Sequence, residues 1–133
     1  MTLYDSLGAN NIGLVNAIIA NGAAVSNAIK TAGLNIAGLY IPAAWTAAAI
    51  TFQASPDNQT YYPVYGLDST GAIVETTLPS AGIPTAAVRF IQIPAGTFDG
   101  CAYVKINSGT NALPVNQGAA RTLIVAVRYY GPQ

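Results

Sequence analysis

Short apolar runs alternate with clusters of Gly, Pro, Asn and Asp along the whole chain. The pattern is cleanest in the C-terminal half. Over residues 88–93, Val88, Phe90 and Gln92 share one side, while Arg89, Ile91 and Ile93 share the other. Over residues 101–106, Cys101, Tyr103 and Lys105 oppose Ala102, Val104 and Ile106. A period of two marks a strand. Residues 122–129 are rich in β-branched side chains and predict a further strand. Residues 50–54 predict another, with Phe52 on one face, and Ser55-Pro56-Asp57-Asn58 ends it in a turn. Residues 61–65 and 72–78 flank Asp68-Ser69-Thr70-Gly71, which predicts the tip of a hairpin. Residues 79–84, 94–100 and 108–120 read as connectors.

The N-terminal half is less regular. Residues 17–20, 25–29 and 34–41 read as strands, with a turn at Asn21-Gly22. Leu14, Ile18, Val25 and Ile29 also fit a helical spacing, but Gly22 and three Asn residues disfavour it. Pro42 opens a stretch that predicts one helical turn carrying Trp45. Residues 1–15 scatter Leu3, Leu7, Ile12, Leu14 and Val15 among Asn and Gly. Gly8 and Gly13 oppose a long helix there. The expectation is an N-terminal arm or short helix over 1–15, then one domain over 16–133. Seven to nine short strands between turns predict an all-β antiparallel sandwich. Pro42, Trp45 and Phe52 are its expected anchors.

Composition sharpens this picture. The chain has 133 residues, of which 52% are hydrophobic and only 8% charged. Soluble chains carry roughly 25% charged residues. So sparse a charge implies a surface of neutral polar groups together with surface that partners cover. Five basic and five acidic residues cancel, which leaves neither a basic face for nucleic acid nor a cationic stripe for a membrane. Residues 1–5 have no basic flank, so no secretory signal is expected. The apolar stretch over 37–50 is too short for a membrane helix and holds Pro42.

The inventory is poor in catalytic chemistry. Histidine is absent, which removes the commonest general base and metal ligand. The single Cys101 excludes an internal disulfide and reads as a small buried side chain. Ser26 and Ser108 are candidate nucleophiles without an evident base, since only Lys30, Lys105 or a carboxylate could serve. Asp57, Asn58, Asp68 and Asp99 fall in turns and lack the spacing of a compact calcium loop. Asn58-Gln59-Thr60 reads as a polar turn. Arg89, Lys105, Arg121 and Arg128 lie on or near strands and could pair with Asp57, Glu75 or Asp99. The expectation is therefore no enzyme, no cofactor and no metal. Tyr61, Tyr62 and Tyr65 cluster between turns and suit an interface, since each offers a rigid ring and a polar tip.

Two blocks carry a resemblance. One is Ile41-Pro42-Ala43-Ala44-Trp45-Thr46-Ala47-Ala48, followed by Ile50-Thr51-Phe52-Gln53-Ala54-Ser55 and Asp57. The other is Tyr103-Val104-Lys105-Ile106-Asn107-Ser108-Gly109-Thr110, then Pro114-Val115-Asn116-Gln117 and Arg121-Thr122-Leu123. Together, over about residues 17–129, they resemble small structural proteins of tailed bacteriophages and prophages. The resemblance implies a jelly-roll sandwich similar to galactose-binding domains. It also implies a virion component made in the bacterial host cytoplasm. The expected function is capsid decoration: a cement protein on the outer head lattice, assembled as a homotrimer and bound to the major capsid protein. Leu3, Tyr4 and Leu7 of the arm, with Tyr61, Tyr62 and Tyr65, are the expected partner contacts. The alternative is a tail-fibre or baseplate module that binds host surface carbohydrate.

Overall fold

The computed structural model describes residues 12–129. Ten strands follow in chain order: β1 (Ile12–Ile19), β2 (Ile29–Lys30), β3 (Leu34–Ile41), β4 (Ile50–Ser55) and β5 (Tyr62–Pro63), then β6 (Tyr65–Leu67), β7 (Ile73–Glu75), β8 (Arg89–Gln92), β9 (Tyr103–Ser108) and β10 (Arg121–Tyr129). A 3-10 turn at Ser80–Gly82 is the only helical element among the described residues.

Two four-stranded sheets form, ordered β1-β10-β3-β8 and β2-β9-β4-β5, while β6 and β7 make a separate hairpin. Every pairing is antiparallel. The partners are nested: β1 with β10, β2 with β9, β3 with β8, and β4 with β5. The chain is thus one long hairpin folded back on itself and wound into two facing sheets. That is the strand order of a jelly roll, with the β6–β7 hairpin inserted between β5 and β8. The expectation of an all-β, jelly-roll-like antiparallel sandwich therefore holds.

The core lies between the two sheets. Ala17 and Ile19 of β1, Leu123, Val125 and Val127 of β10, and Ile36, Leu39 and Ile41 of β3 face Ile50 and Phe52 of β4 and Val104 and Ile106 of β9. Each Val, Leu, Ile or Phe among them contributes about 1.5–3 kcal/mol when fully buried. Strand β10 keeps one side inward throughout, with the small Ala126 also covered on the other side, but β3 does not. The register slips between Ala126 and Val127, where Ala37 is the extra residue opposite them. This bulge changes parity, so Ile36 before it and Leu39 and Ile41 after it all point inward.

Several local expectations change. Residues 42–49 contain no helical turn; Ala44 adopts φ 64° and bends the chain. Trp45 is buried by that bend, and its Nε1 donates to the Ala48 carbonyl at 3.2 Å. Pro42 is half-buried and Phe52 is fully buried. Residues 25–29 give only an isolated bridge at Val25 and the start of β2 at Ile29. Residues 12–15, assigned above to the arm, belong to β1 and pair with β10. The connector over 94–100 supplies a core residue, Phe98, whose ring meets Phe52 edge-on at 4.8 Å between centroids.

The loops are tied by buried polar groups. Gln117 Oε1 accepts from the Thr46 N–H at 2.9 Å, and its Nε2 donates to the Thr46 carbonyl at 3.1 Å and to Ser108 Oγ at 2.8 Å. Asn107 Nδ2 donates to Thr51 Oγ1 and to the Gly109 carbonyl, at 2.9 and 3.1 Å. The two sequence blocks of the resemblance therefore meet through their polar side chains.

Candidate interaction surfaces

The outer face of the β1-β10-β3-β8 sheet is apolar. Alternation turns Ile12, Leu14, Asn16 and Ile18 outward on β1, where they pair with Arg128, Ala126, Ile124 and Thr122. Ile124 then pairs with Tyr40, and Tyr40 with Phe90. Phe90 stacks on Tyr40 with ring centroids 4.5 Å apart. Its ring also covers Gly38, where any β-carbon would collide with it. Leu14 is 65% exposed and Val88 72% exposed. Seven large apolar side chains about half exposed leave roughly 700 Å² of apolar surface here, taking ~200 Å² for each. Patches on ordinary monomers reach roughly 300–600 Å², and a stable interface takes about 800 Å² from each partner.

A groove of about 490 Å³ runs across this face. Tyr40, Pro42, Val88, Phe90 and Ile124 line it, and Arg89 stands at its edge. Arg89 is the cross-strand partner of buried Ile41, and its Nη1 donates to the Gly82 carbonyl at 3.0 Å, which holds the guanidinium on the side opposite Phe90.

The second apolar surface is the β6–β7 hairpin. Leu67 and Ile73 are cross-strand partners, and each is 73% exposed. Asp68 closes the tip. Its Oδ1 accepts from Thr70 Oγ1 at 2.6 Å and from the Thr70 and Ala72 N–H groups at 2.8 and 3.0 Å. These bonds, the Thr70 hydroxyl first, hold the Asp68 carboxyl below the usual range. The base is tied as firmly. Glu75 Oε2 accepts from the N–H and Nδ2 of Asn111 at 2.9 and 2.6 Å. The Thr76 N–H donates to the Val64 carbonyl, and the Val64 N–H to the Phe52 carbonyl. The hairpin is thus a rigid finger with a charged tip and an apolar pair behind it.

The tyrosines divide. Tyr61 is half-buried; Lys105 Nζ lies 4.3 Å above its ring, and its hydroxyl donates to Asn58 Oδ1. Burial, then the nearby Tyr103 and Asp57, pushes the Tyr61 phenol above its ordinary value. Tyr62 and Tyr65 are exposed, on β5 and β6. Leu3, Tyr4 and Leu7 lie outside the described residues. The groove-lining Tyr40, Val88, Phe90 and Ile124 were not among the expected contacts. Their signal in the sequence is apolar side chains at both parities of one strand, which means cover on both faces.

The remaining candidates serve the fold. Asp57 Oδ1 accepts from the Gln59 and Thr60 N–H groups at 2.9 and 3.1 Å and from Ser55 Oγ at 3.0 Å, which lowers its carboxyl in that order of effect. Ser108 Oγ is engaged by Gln117, and Ser26 Oγ by the Ile106 N–H. Arg121 donates to Gln117 Oε1 and Thr46 Oγ1 rather than to a carboxylate. Burial, with Asp99 nearby, pushes the Cys101 thiol up. Among the described residues no three His, Cys, Asp or Glu side chains gather as a metal site. No helix among them is long and apolar enough to cross a membrane. No protein-family model matches the chain, and neither a curated protein nor a solved structure matches it.

Proposed function

We propose that this chain is a virion structural protein that binds the outer head lattice of a tailed phage as a decoration protein and stabilises it. The observation that supports the reading most is the apolar outer face of the β1-β10-β3-β8 sheet. Surface of that extent is costly to leave in water and is expected to be covered in the working state. The low charge fits contacts that depend on apolar burial rather than on ion pairs. In this reading the partners are further copies of the chain, as a homotrimer, and the major capsid protein. In the same reading Leu3, Tyr4 and Leu7, which lie outside the described residues, are contacts with a neighbouring subunit.

Heads purified from a phage lacking this gene provide the test. The purified chain should co-sediment with them, saturate, and raise the temperature at which they release DNA. A chain that stays in the supernatant at saturating concentration contradicts the proposal.

A second reading has its own support in the exposed Tyr62 and Tyr65. They would form a stacking face for a host surface sugar in a tail-fibre or baseplate module. Tyrosine fluorescence that responds to members of a glycan panel would favour it.

A further inference from the structure

We propose that a pocket at one end of the outer sheet face, built by Arg128, Asn35 and Gln92, binds a small carboxylate ligand. The site goes beyond the function proposed above and stands without it. Arg128 of β10 is the direct cross-strand partner of Asn35 on β3 and of outward-facing Ile12 on β1. Gln92 of β8 pairs with Gly38, whose other neighbour is Ala126, the partner of outward-facing Leu14. All three side chains therefore leave the sheet on the same face. With Ala37, Pro94 and Ala95 they line a pocket of about 290 Å³, roughly ten water volumes.

The fold fixes one wall of this pocket. The Ile93 N–H donates to the Ala37 carbonyl at 2.9 Å, so the chain leaves the sheet beside the β3 bulge. The turn that follows is closed by Thr97 Oγ1, which donates to the Pro94 carbonyl at 2.6 Å. That turn reaches Asn35, whose Oδ1 accepts from the Gly96 N–H at 3.4 Å. Asn35 is only 5% exposed, and its Nδ2 donates to no described residue. Yet no buried side-chain nitrogen among the described residues lacks a partner. The Asn35 Nδ2 is therefore open to the pocket that Asn35 lines. A donor held in place before the ligand arrives loses little entropy on binding.

Donors gather here without an acidic partner. Arg89, Lys105 and Arg121 are engaged by the Gly82 carbonyl, the Tyr61 ring and Gln117. Asp57 and Asp68 are engaged in their own turns, and Glu75 by Asn111. Among the described residues, no acidic side chain lines the Arg128 pocket. A guanidinium offers two parallel N–H groups that match the two oxygens of a carboxylate. Its single positive charge balances one negative charge, whereas a phosphate dianion would leave charge unmatched. The Asn35 amide adds a neutral donor, and Gln92 can bond a hydroxyl beside the acid group. Ala37 and Pro94 give the adjoining carbon apolar contact.

The test titrates the isotope-labelled full chain, near neutrality and at constant ionic strength, with acetate, glucuronate, glucose and inorganic phosphate. Acetate and glucuronate should shift the NMR signals of Asn35 Nδ2, the Gly96 amide and Arg128 Nε saturably, with dissociation constants of about 1–10 mM. Glucose should shift none, and phosphate should bind more weakly than either acid. Glucuronate tighter than acetate assigns the ligand to hydroxylated acids. No gain over acetate assigns it to the carboxylate alone, as an acidic side chain presents it. Arg128→Gln should weaken binding about tenfold or more. Arg128→Lys should also weaken it, because the charge stays but the fork is lost. Asn35→Asp keeps Oδ1 for Gly96, puts an acceptor where the donor stood, and should abolish binding. Arg128 is exposed, so its variants should keep the wild-type urea midpoint. The absence of a saturable shift with either acid at roughly 50 mM overturns the proposal. So do shifts that persist undiminished in Arg128→Gln, or phosphate binding tighter than both acids.

Discussion

Thr46 and Gln117, 71 positions apart, hold each other by two hydrogen bonds, N–H to Oε1 and Nε2 to carbonyl, at 2.9 and 3.1 Å. The pair fastens the bend that buries Trp45 to the segment leading into β10. Gln117 is also 1% exposed, so water cannot replace what it gives. Gln117→Leu should cost about 2–4 kcal/mol, since it orphans a half-buried backbone amide and the buried Ser108 hydroxyl. Urea denaturation measures it. A loss under about 0.5 kcal/mol means that the clamp contributes only neutral contact.

Two glycines separate conformational strain from collision. Gly22 and Gly109 both have positive φ, 77° and 87°. A β-carbon at Gly22 meets nothing within 4 Å, whereas at Gly109 it lies 2.6 Å from the Leu113 carbonyl oxygen. Gly22→Ala should cost about 1–2 kcal/mol for left-handed backbone alone. Gly109→Ala should cost at least twice that, or prevent folding. Equal losses contradict the crowding at Gly109.

Acid should weaken the fold through the two turn carboxylates. Asp57 and Asp68 both have lowered folded-state values, from turn hydrogen bonds to the ionised form. Such groups stabilise above the unfolded carboxylate value of about 3.9, and the contribution is lost as pH falls through the folded value. Asp57→Asn and Asp68→Asn should be less stable than wild type near neutrality and should converge with it in strong acid. Curves that stay parallel at all pH values exclude this linkage.

The outer sheet face should matter for assembly and little for folding. Leu14→Thr and Ile124→Thr place a β-branched polar residue on an exposed strand position. Their unfolding free energies should stay within about 0.5 kcal/mol of wild type. Head binding should fall several-fold for each, as titrated by co-sedimentation. Normal binding by both variants would remove this face from the contact.

Salt distinguishes apolar from ionic attachment. With five charges of each sign, head binding should change little between roughly 0.05 and 0.5 M salt, a range over which the Debye length shrinks from about 14 to 4 Å. A steep loss over that range assigns the contact to ion pairs instead.

The sequence was most readable along its longest apolar and β-branched runs. Residues 34–41 and 122–129 fall within one residue of β3 and β10. The turn chemistry of Asp68-Ser69-Thr70-Gly71 located the hairpin tip, because Asp side chains favour that geometry locally. Residues 12–15 carry no strand signal of their own, since Gly13 stands among scattered apolar residues. In the fold the Tyr129 ring lies over Gly13, a contact that only the β1–β10 pairing creates. The bulge at Ala37 and the burial of Phe98 against Phe52 are likewise products of distant packing. Nested pairing joins β1 to β10 across the whole chain, and no local signal encodes it. The interaction surfaces were half legible. Tyr62 and Tyr65 are exposed, while Tyr61 is spent on Lys105 and Asn58. On β1, outward Ile12, Leu14 and Ile18 are interleaved with inward Val15, Ala17 and Ile19, so alternation vanished and the outer face went unseen.

The proposed function places the protein on the outside of a phage head. Immunogold labelling of intact particles, with an antibody against this chain, tests it most directly. Gold distributed over the whole head, and absent from heads of a phage lacking the gene, is the expected result. Gold confined to the tail tip, or particles that carry none, would contradict it.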